Sequence, residues 1–217
     1  MGRLRRGGDD WLIRHVRCVI DPGERVAITG PSGAGKTVLL RSLAFLDPLD
    51  EGEVLWRGTR ILGDDVPAFR AQVAYVHQRA ALFEGTVRDN LRLPFGLAVH
   101  RGRRFDEARA SDLVRRLGRD AGFLDKSARD LSGGEAQVMA LTRVLQLDPT
   151  LLLLDEPTSS LDGATAEAVE ALLNAWQREA PDVRSLVWVT HDPRQAERVA
   201  TRRIRVEAGR ILAEALA

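Results

Sequence analysis

At 217 residues the sequence is long enough for one large domain with a sizeable core, or for a core plus a subdomain. Hydrophobic content of 44% and charged content of 29% are those of an ordinary globular protein, and no run of ~18 apolar residues is present to span a bilayer. A formal net charge of +1 gives no global field that would draw the chain to nucleic acid or to a membrane surface. The start, MGRLRRGGDD, has positive charge but no apolar stretch after it, so it does not read as a signal peptide. The chain is therefore expected to be soluble and, by default, cytoplasmic. Cys18 is the only cysteine, which leaves no intrachain disulfide and no cysteine-based metal cluster. Of the basic residues only Lys36 and Lys126 are lysines; the rest are arginine.

In chain order, residues 11–28 alternate apolar and polar positions around the turn Asp21-Pro22-Gly23, which predicts a hairpin leading into the next strand. That strand, Val26-Ala27-Ile28, runs into Gly30-Pro31-Ser32-Gly33-Ala34-Gly35-Lys36-Thr37, and a helical pattern begins at once. The turn fits the phosphate-loop template G-x-x-x-x-G-K-[ST] at every fixed position. Backbone N–H groups surround a polyphosphate only where glycine lets the chain come close, and the helix that follows aims its positive end at the same anion. Lys36 supplies a point charge for the β- and γ-phosphates, and the Thr37 hydroxyl suits Mg²⁺. A nucleoside triphosphate is the expected ligand.

Further on, Glu53 to Gly58 and Ala71 to Val76 read as strands, the second ending at His77-Gln78. Residues 82–140 turn helical and arginine-rich, with Asp89 to Leu97 and Phe105 to Leu117 as helix candidates; they read as an inserted helical subdomain. Leu131-Ser132-Gly133-Gly134-Glu135 precedes a helical run to Leu145 and makes a second helix N-terminus able to hold an anion. Leu151 to Leu154 is a continuous apolar run, the pattern of a buried parallel strand, and it ends in two carboxylates, Asp155 and Glu156. An acid in that place can hold Mg²⁺ through water, and the second can polarise an attacking water. Ala164 to Trp176 reads as a helix, Leu186 to Thr190 as a second buried strand, Arg194 to Ala200 as a short helix, and Ile204 to Leu212 as a closing hairpin turning at Ala208-Gly209. Strands alternating with helices predict a mostly parallel α/β sheet.

Taken together, GPSGAGKT, YVHQ, LSGGE, LLLLDE, SSLD and VTHD, in that order, make the sequence resemble the ATP-binding subunit of ABC transporters along its whole length. The resemblance implies one ABC ATPase domain over residues 1–217: a phosphate-loop NTPase fold with a RecA-like sheet, an N-terminal antiparallel β subdomain and the helical insert. It implies that Gly30, Pro31, Ser32, Gly33, Ala34, Gly35, Lys36, Thr37 and Val38 hold ATP. Thr37 and Gln78 would ligate Mg²⁺, with Asp155 acting through water, while Glu156 would be the general base and His191 would contact the γ-phosphate. Ser132 and Gly134 would grip the γ-phosphate of an opposite subunit and Asp162 would link the two sites, so an ATP-dependent head-to-tail homodimer is implied. An integral-membrane permease would dock beside Gln78 and residues 80–90, placing the chain on the cytoplasmic face of the inner membrane.

Three positions depart from the family pattern. No aromatic precedes the loop in Leu4-Arg5-Arg6-Gly7-Gly8; Trp11 falls late and reads as strand packing, while Arg5 or Arg6 could stack on adenine. Val138 stands where arginine is common, and Val38 where threonine is. The stretch Leu82 to Leu91, with ITGPSG, NLRLPF and LVWVTHD, resembles a two-component bacterial iron-efflux ATPase, which implies export of iron or another metal. The alternative is an ABC-type ATPase acting on a non-transport membrane or regulatory partner. The arginines between Arg101 and Arg119 read as a solvated face or as a surface for anionic lipid.

Overall fold

A computed structural model describes residues 1–4 and 10–216. The strands are β1 (Arg3–Leu4), β2 (Trp11–Ile13), β3 (Arg25–Thr29), β4 (Leu55–Trp56), β5 (Thr59–Arg60), β6 (Val73–Val76), β7 (Leu151–Asp155), β8 (Ser185–Val189), β9 (Arg202–Glu207) and β10 (Arg210–Leu216). The α-helices are α1 (Lys36–Leu43), α2 (Val66–Gln72), α3 (Val87–Arg92), α4 (Glu107–Arg116), α5 (Gly133–Leu145), α6 (Gly163–Arg178) and α7 (Pro193–Val199). The central sheet runs in the order β10-β9-β3-β8-β7-β6. β6, β7, β8, β3 and β9 are mutually parallel, and β10 closes one edge antiparallel to β9.

The unbroken apolar runs follow from a sheet covered on both faces. Side chains alternate along a strand, so Leu152 and Leu154 pack with Ala27, Leu186 and Trp188 beneath α5 and α6. Leu151 and Leu153 go to the other face, with Val26, Ile28, Val187, Val189 and the α1 residues Leu39 and Leu40. β7 and β8 are buried along their whole length.

The expected hairpin before the loop is absent. β2 pairs instead with β1, and β3 enters the parallel sheet between β8 and β9. The alternation that suggested a strand near Val16 is real, since Val16 is buried. Its hydrogen bonds go to Met1, whose carbonyl receives the Val16 N–H at 3.0 Å, rather than to a neighbouring strand. Outside the central sheet the antiparallel strand pairs are β1–β2 and β4–β5, with a bridge between Gly2 and Glu51. Ala71 and Gln72, expected in a strand, end helix α2.

Helices α3 and α4 are shorter than the sequence pattern. Thr86 caps α3 by accepting the Asp89 N–H, and Asp89 answers the Thr86 N–H, so the helix begins two residues early; Pro94 sits in a tight turn over Leu93–Gly96 that ends it. Val87 and Leu91 of α3, Leu113 and Val114 of α4, and Met139 and Leu141 of α5 form one core with the sheet face below them. α5 ends at Leu145, where the sequence predicts the helical run to end.

Candidate active site

The loops after β3, β6, β7 and β8 all leave the carboxyl ends of parallel strands, the edge of an open α/β sheet where ligands bind. The motif residues Gly30, Gln78, Glu156 and His191 follow those strands, so residues far apart in sequence meet at one edge.

The phosphate loop is built against the sheet rather than beside it. Gly30 has φ of 142° and a Cβ there would lie 1.9 Å from the Val206 carbonyl oxygen; Gly35, at φ 100°, would put one 2.8 Å from the Leu12 oxygen. Both positions exclude a side chain by contact as well as by backbone conformation. Gly35 is the N-cap of α1, where a left-handed residue turns the chain into the helix. Lys36 is buried at 8% exposure, and its Nζ donates to the Gly30 and Pro31 carbonyls at 2.8 and 2.9 Å. The ammonium therefore already lies over the loop, and of its three protons two are directed at backbone oxygens.

Below the loop, Asp155 is 3% exposed and its Oδ2 accepts two hydroxyl protons, from Thr37 at 2.8 Å and from Tyr75 at 3.0 Å. Nothing in the sequence motifs marks Tyr75 as a partner of Asp155. The only signal is a lone tyrosine, the one in the chain, in an apolar strand three residues before Gln78. Burial, followed by the Asp155 carboxylate and its hydrogen bond, pushes the Tyr75 phenol well above its ordinary 10 and keeps it a proton donor.

Beside this lies a second carboxylate. Gln78 Nε2 donates to Glu156 Oε2 at 3.1 Å, and His191 Nδ1 lies 3.5 Å from the same oxygen. Glu156 adopts φ of 45°, a left-handed conformation that disfavours any residue with a Cβ, and its N–H is held by the Val189 carbonyl at 3.2 Å. The sheet thus imposes a backbone turn that swings the carboxylate off the strand axis toward Gln78 and His191.

The remaining candidates sit apart. Ser132 caps α5 in a reciprocal box with Glu135, and Lys126 clamps both Glu135 oxygens at 2.8 and 2.9 Å. Lys126, then Ser132, holds the Glu135 carboxyl below its ordinary range. Gly134 packs on the loop before α6: a Cβ there would sit 3.2 Å from the Ser160 oxygen. Among the described residues no hydrogen bond or ion pair joins Ser132 or Gly134 to residues 30–37. Asp162 is spent locally, with one oxygen accepting the Thr165 N–H at 2.9 Å and the other its hydroxyl at 2.8 Å. Trp11 packs over Gly2 and under the Arg14 guanidinium, 4.8 Å from its ring, while Arg5 and Arg6 lie outside the described residues. A large apolar cavity of about 920 Å³ lies elsewhere, between residues 16–22 and the β4–β5 pair, and includes none of the motif residues.

Residues 13–159 match the protein family described as ABC transporter. The chain belongs to the ABC transporter family. Within that family it is an ATP-binding, ATP-hydrolysing domain of the phosphate-loop fold. Its relatives include the sulfate/thiosulfate import ATP-binding protein CysA of Mycobacterium tuberculosis, 38% identical over 95% of this chain and 58% of CysA. The phosphate import ATP-binding protein PstB 2 of Natronomonas pharaonis is 38% identical over 93% of this chain and 73% of its own length. This ABC chain thus spans little more than half of CysA. Among solved structures, the dimeric post-hydrolysis state of the ATP-binding cassette MJ0796 with ADP and Pi aligns with TM-score 0.89 and 29% identity over 99% of this chain and 95% of that one.

Proposed function

We propose that this chain is the ATPase subunit that powers transport by a separate membrane permease, working as one ATPase domain with the helices between β6 and β7 as its insert. The observation that carries the reading is the convergence of Thr37 and Tyr75 on Asp155, and of Gln78 and His191 on Glu156, at the edge where the loop 30–37 ends. The loop amides, from Gly30 through Val38, and Lys36 would take the β- and γ-phosphates. In hydrolysis a water oxygen bonds to the γ-phosphorus as the bond from that phosphorus to the β–γ bridging oxygen breaks. The water proton passes to Glu156, and ADP and phosphate leave. His191, within reach of Glu156, would orient that base or meet the γ-phosphate.

The donor set also fits Mg²⁺. A Thr37 hydroxyl, the Gln78 amide oxygen and the Asp155 carboxylate are hard oxygen ligands. Among the described residues no group of three or more His, Cys, Asp and Glu could cage a metal. A magnesium held partly by substrate phosphates requires no such cage. When bound, the ion would neutralise charge on the phosphates.

Gly134 packs on its own chain's Ser160 and Ser132 bonds to Glu135, and neither makes a hydrogen bond to the phosphate loop, so they are left for a second copy's nucleotide. That supports an ATP-dependent head-to-tail homodimer, and MJ0796 is known in dimeric form. No described helix is long and apolar enough to cross a membrane. A permease docked near Gln78 would hold the chain on the cytoplasmic face of the inner membrane. Export of iron or another metal rests only on the resemblance of the Leu82 to Leu91 stretch with ITGPSG, NLRLPF and LVWVTHD, whereas the relatives are named for import of sulfate, thiosulfate and phosphate.

The test joins ATP hydrolysis by the chain and by Glu156→Gln to gel filtration of each in ATP. Turnover lost in the variant together with a stable dimer supports the reading; equal turnover removes Glu156 as base. With the permease in inverted vesicles, ATP-driven accumulation means export and ATP-driven loss means import. No movement of any solute favours the non-transport partner.

A further inference from the structure

Away from the ATP site, the chain between α3 and α4 combines two features usually kept apart. Its two tight turns, Leu93–Gly96 and Ala98–His100, leave Leu93 at 46% and Leu97 at 57% exposure, and arginines follow directly at 101, 103 and 104. Exposed leucines in a helix-poor loop beside unneutralised arginines are costly in water and suited to a bilayer interface.

The arginines also border a cleft of about 350 Å³ between the start of α4 and the end of α5, lined by Phe95, Arg103, Arg104, Arg109, Gln146 and Asp148. Both of its carboxylates already have partners: Asp148 pairs with Arg184 and, at 3.9 Å, with Arg109 of the same cleft, and Asp106, also in the lining, caps α4. Arg104 has no hydrogen-bond or ion-pair partner among the described residues, and Arg103 uses one guanidinium nitrogen on the Leu147 carbonyl. The cleft therefore has an excess of guanidinium donors. One of its walls is Gln146, 7% exposed, whose amide nitrogen is bonded to the Leu91 carbonyl while its Oε1 is buried with no partner. A buried acceptor without a donor is costly, so this wall calls for a hydroxyl.

We propose that this cleft takes the headgroup of an anionic phospholipid bearing a hydroxyl, of the phosphatidylglycerol kind, with its phosphate on Arg103 and Arg104 and Leu97 entering the interface beside it. Guanidinium forks match phosphate oxygens in pairs, which favours phosphate over a diffuse negative surface. The headgroup hydroxyl meets Gln146. The lipid is then a second attachment to the membrane, independent of the permease. This inference rests on the placement of the chain at a membrane face, and its test reads lipid binding separately from ATP hydrolysis.

The full chain is floated with vesicles of phosphatidylcholine alone and of phosphatidylcholine mixed with phosphatidylglycerol. Binding is expected only to the mixed vesicles. Arg103→Gln combined with Arg104→Gln is expected to lower it about thirtyfold, at about 1 kcal/mol per charge near the surface. Leu97→Gln weakens it as well. Arg115→Gln with Arg116→Gln, the same charge change further along α4, leaves it nearly unchanged, and ATP hydrolysis is unaltered in all of these. Equal binding to both vesicle types, or equal loss from both arginine pairs, overturns the site. So does saturable binding of free glycerol phosphate with no vesicle binding. Loss of permease-stimulated hydrolysis in the Arg103/Arg104 variant with vesicle binding intact would assign the cleft to a protein partner and overturn the lipid. A chain that floats with the vesicles but does not hydrolyse ATP would sink the proposed function and leave this site standing.

Discussion

Asp155 and Glu156 are adjacent in sequence and chemically alike, yet their surroundings separate their work. Asp155 ends β7 in register with Val189 of β8, and buried hydroxyls donate to it. Glu156 turns out of the strand in a left-handed conformation toward a histidine and an amide. Glu156→Gln keeps the shape and removes the proton acceptor. Steady-state hydrolysis is expected to fall by about 10²–10⁴, the range of general-base catalysis, with ATP binding retained. Tyr75→Phe deletes a donor to a buried carboxylate, and urea unfolding is expected to show a loss of about 1–2 kcal/mol. Turnover in that variant is expected to fall far less than in Glu156→Gln. Gly30→Ala meets the Val206 carbonyl at a distance no Cβ can occupy, so β3 and β9 must part. It is expected to lose both nucleotide binding and thermal stability, measured side by side.

Elements here are held at their ends as much as by their cores. Ser132 starts α5 and Asp162 starts α6, and both belong to the motifs that imply contact across a dimer. Asp162→Asn can still accept the Thr165 N–H, whereas Asp162→Ala cannot, and the alanine is expected to cost about 1 kcal/mol of stability. If the dimer in ATP weakens in both variants while stability falls only in the alanine, Asp162 serves the interface as well as the cap. A second tie joins α6 to α7. Glu170, 8% exposed, accepts from Arg198 at 2.9 and 3.0 Å and from Gln195 at 2.9 Å. Burial alone would raise its carboxyl, but the Arg198 and Gln195 hydrogen bonds outweigh that and hold it below the ordinary 4.5. A carboxyl depressed in the folded state adds stability above its unfolded value and loses it as pH falls through the folded one. The stability gap between the protein and Glu170→Gln is therefore expected to hold at neutral pH and to shrink below 4.5, in chemical denaturation at stepped pH.

At the scale of the whole molecule, six motifs spread from Gly30 to His191 fall into two groups that the single chain keeps apart. The phosphate loop, Gln78, Asp155, Glu156 and His191 share the carboxyl edge of the sheet, while Ser132 caps α5 and Gly134 lies against Ser160. Much of this was legible beforehand. Leu151 to Leu154 announces a strand buried on both faces because only apolar residues tolerate that, and G-x-x-x-x-G-K-T announces a phosphate loop because backbone donors and a lysine are what a polyphosphate requires. The closing hairpin at Ala208-Gly209 and the cap at Ser132 were equally local, and local residues specify them. Three things were not legible. The partner of β3 is chosen by which apolar faces meet across more than a hundred residues, so an alternating pattern at 11–28 could not reveal that β3 would leave β2 for β8 and β9. Tyr75 carries no motif, and its contact with Asp155 exists only because β6 and β7 lie side by side. The cleft of Arg103 and Arg104 arises from the packing of α4 against the end of α5, which turned a run of arginines into a pocket walled by a buried Gln146 whose Oε1 has no partner. Sequence alone determined the chemistry and its order along the chain, because those depend on residue type and short spacing. Tertiary structure decided which groups share a site, because that depends on strand order and on how side chains pack.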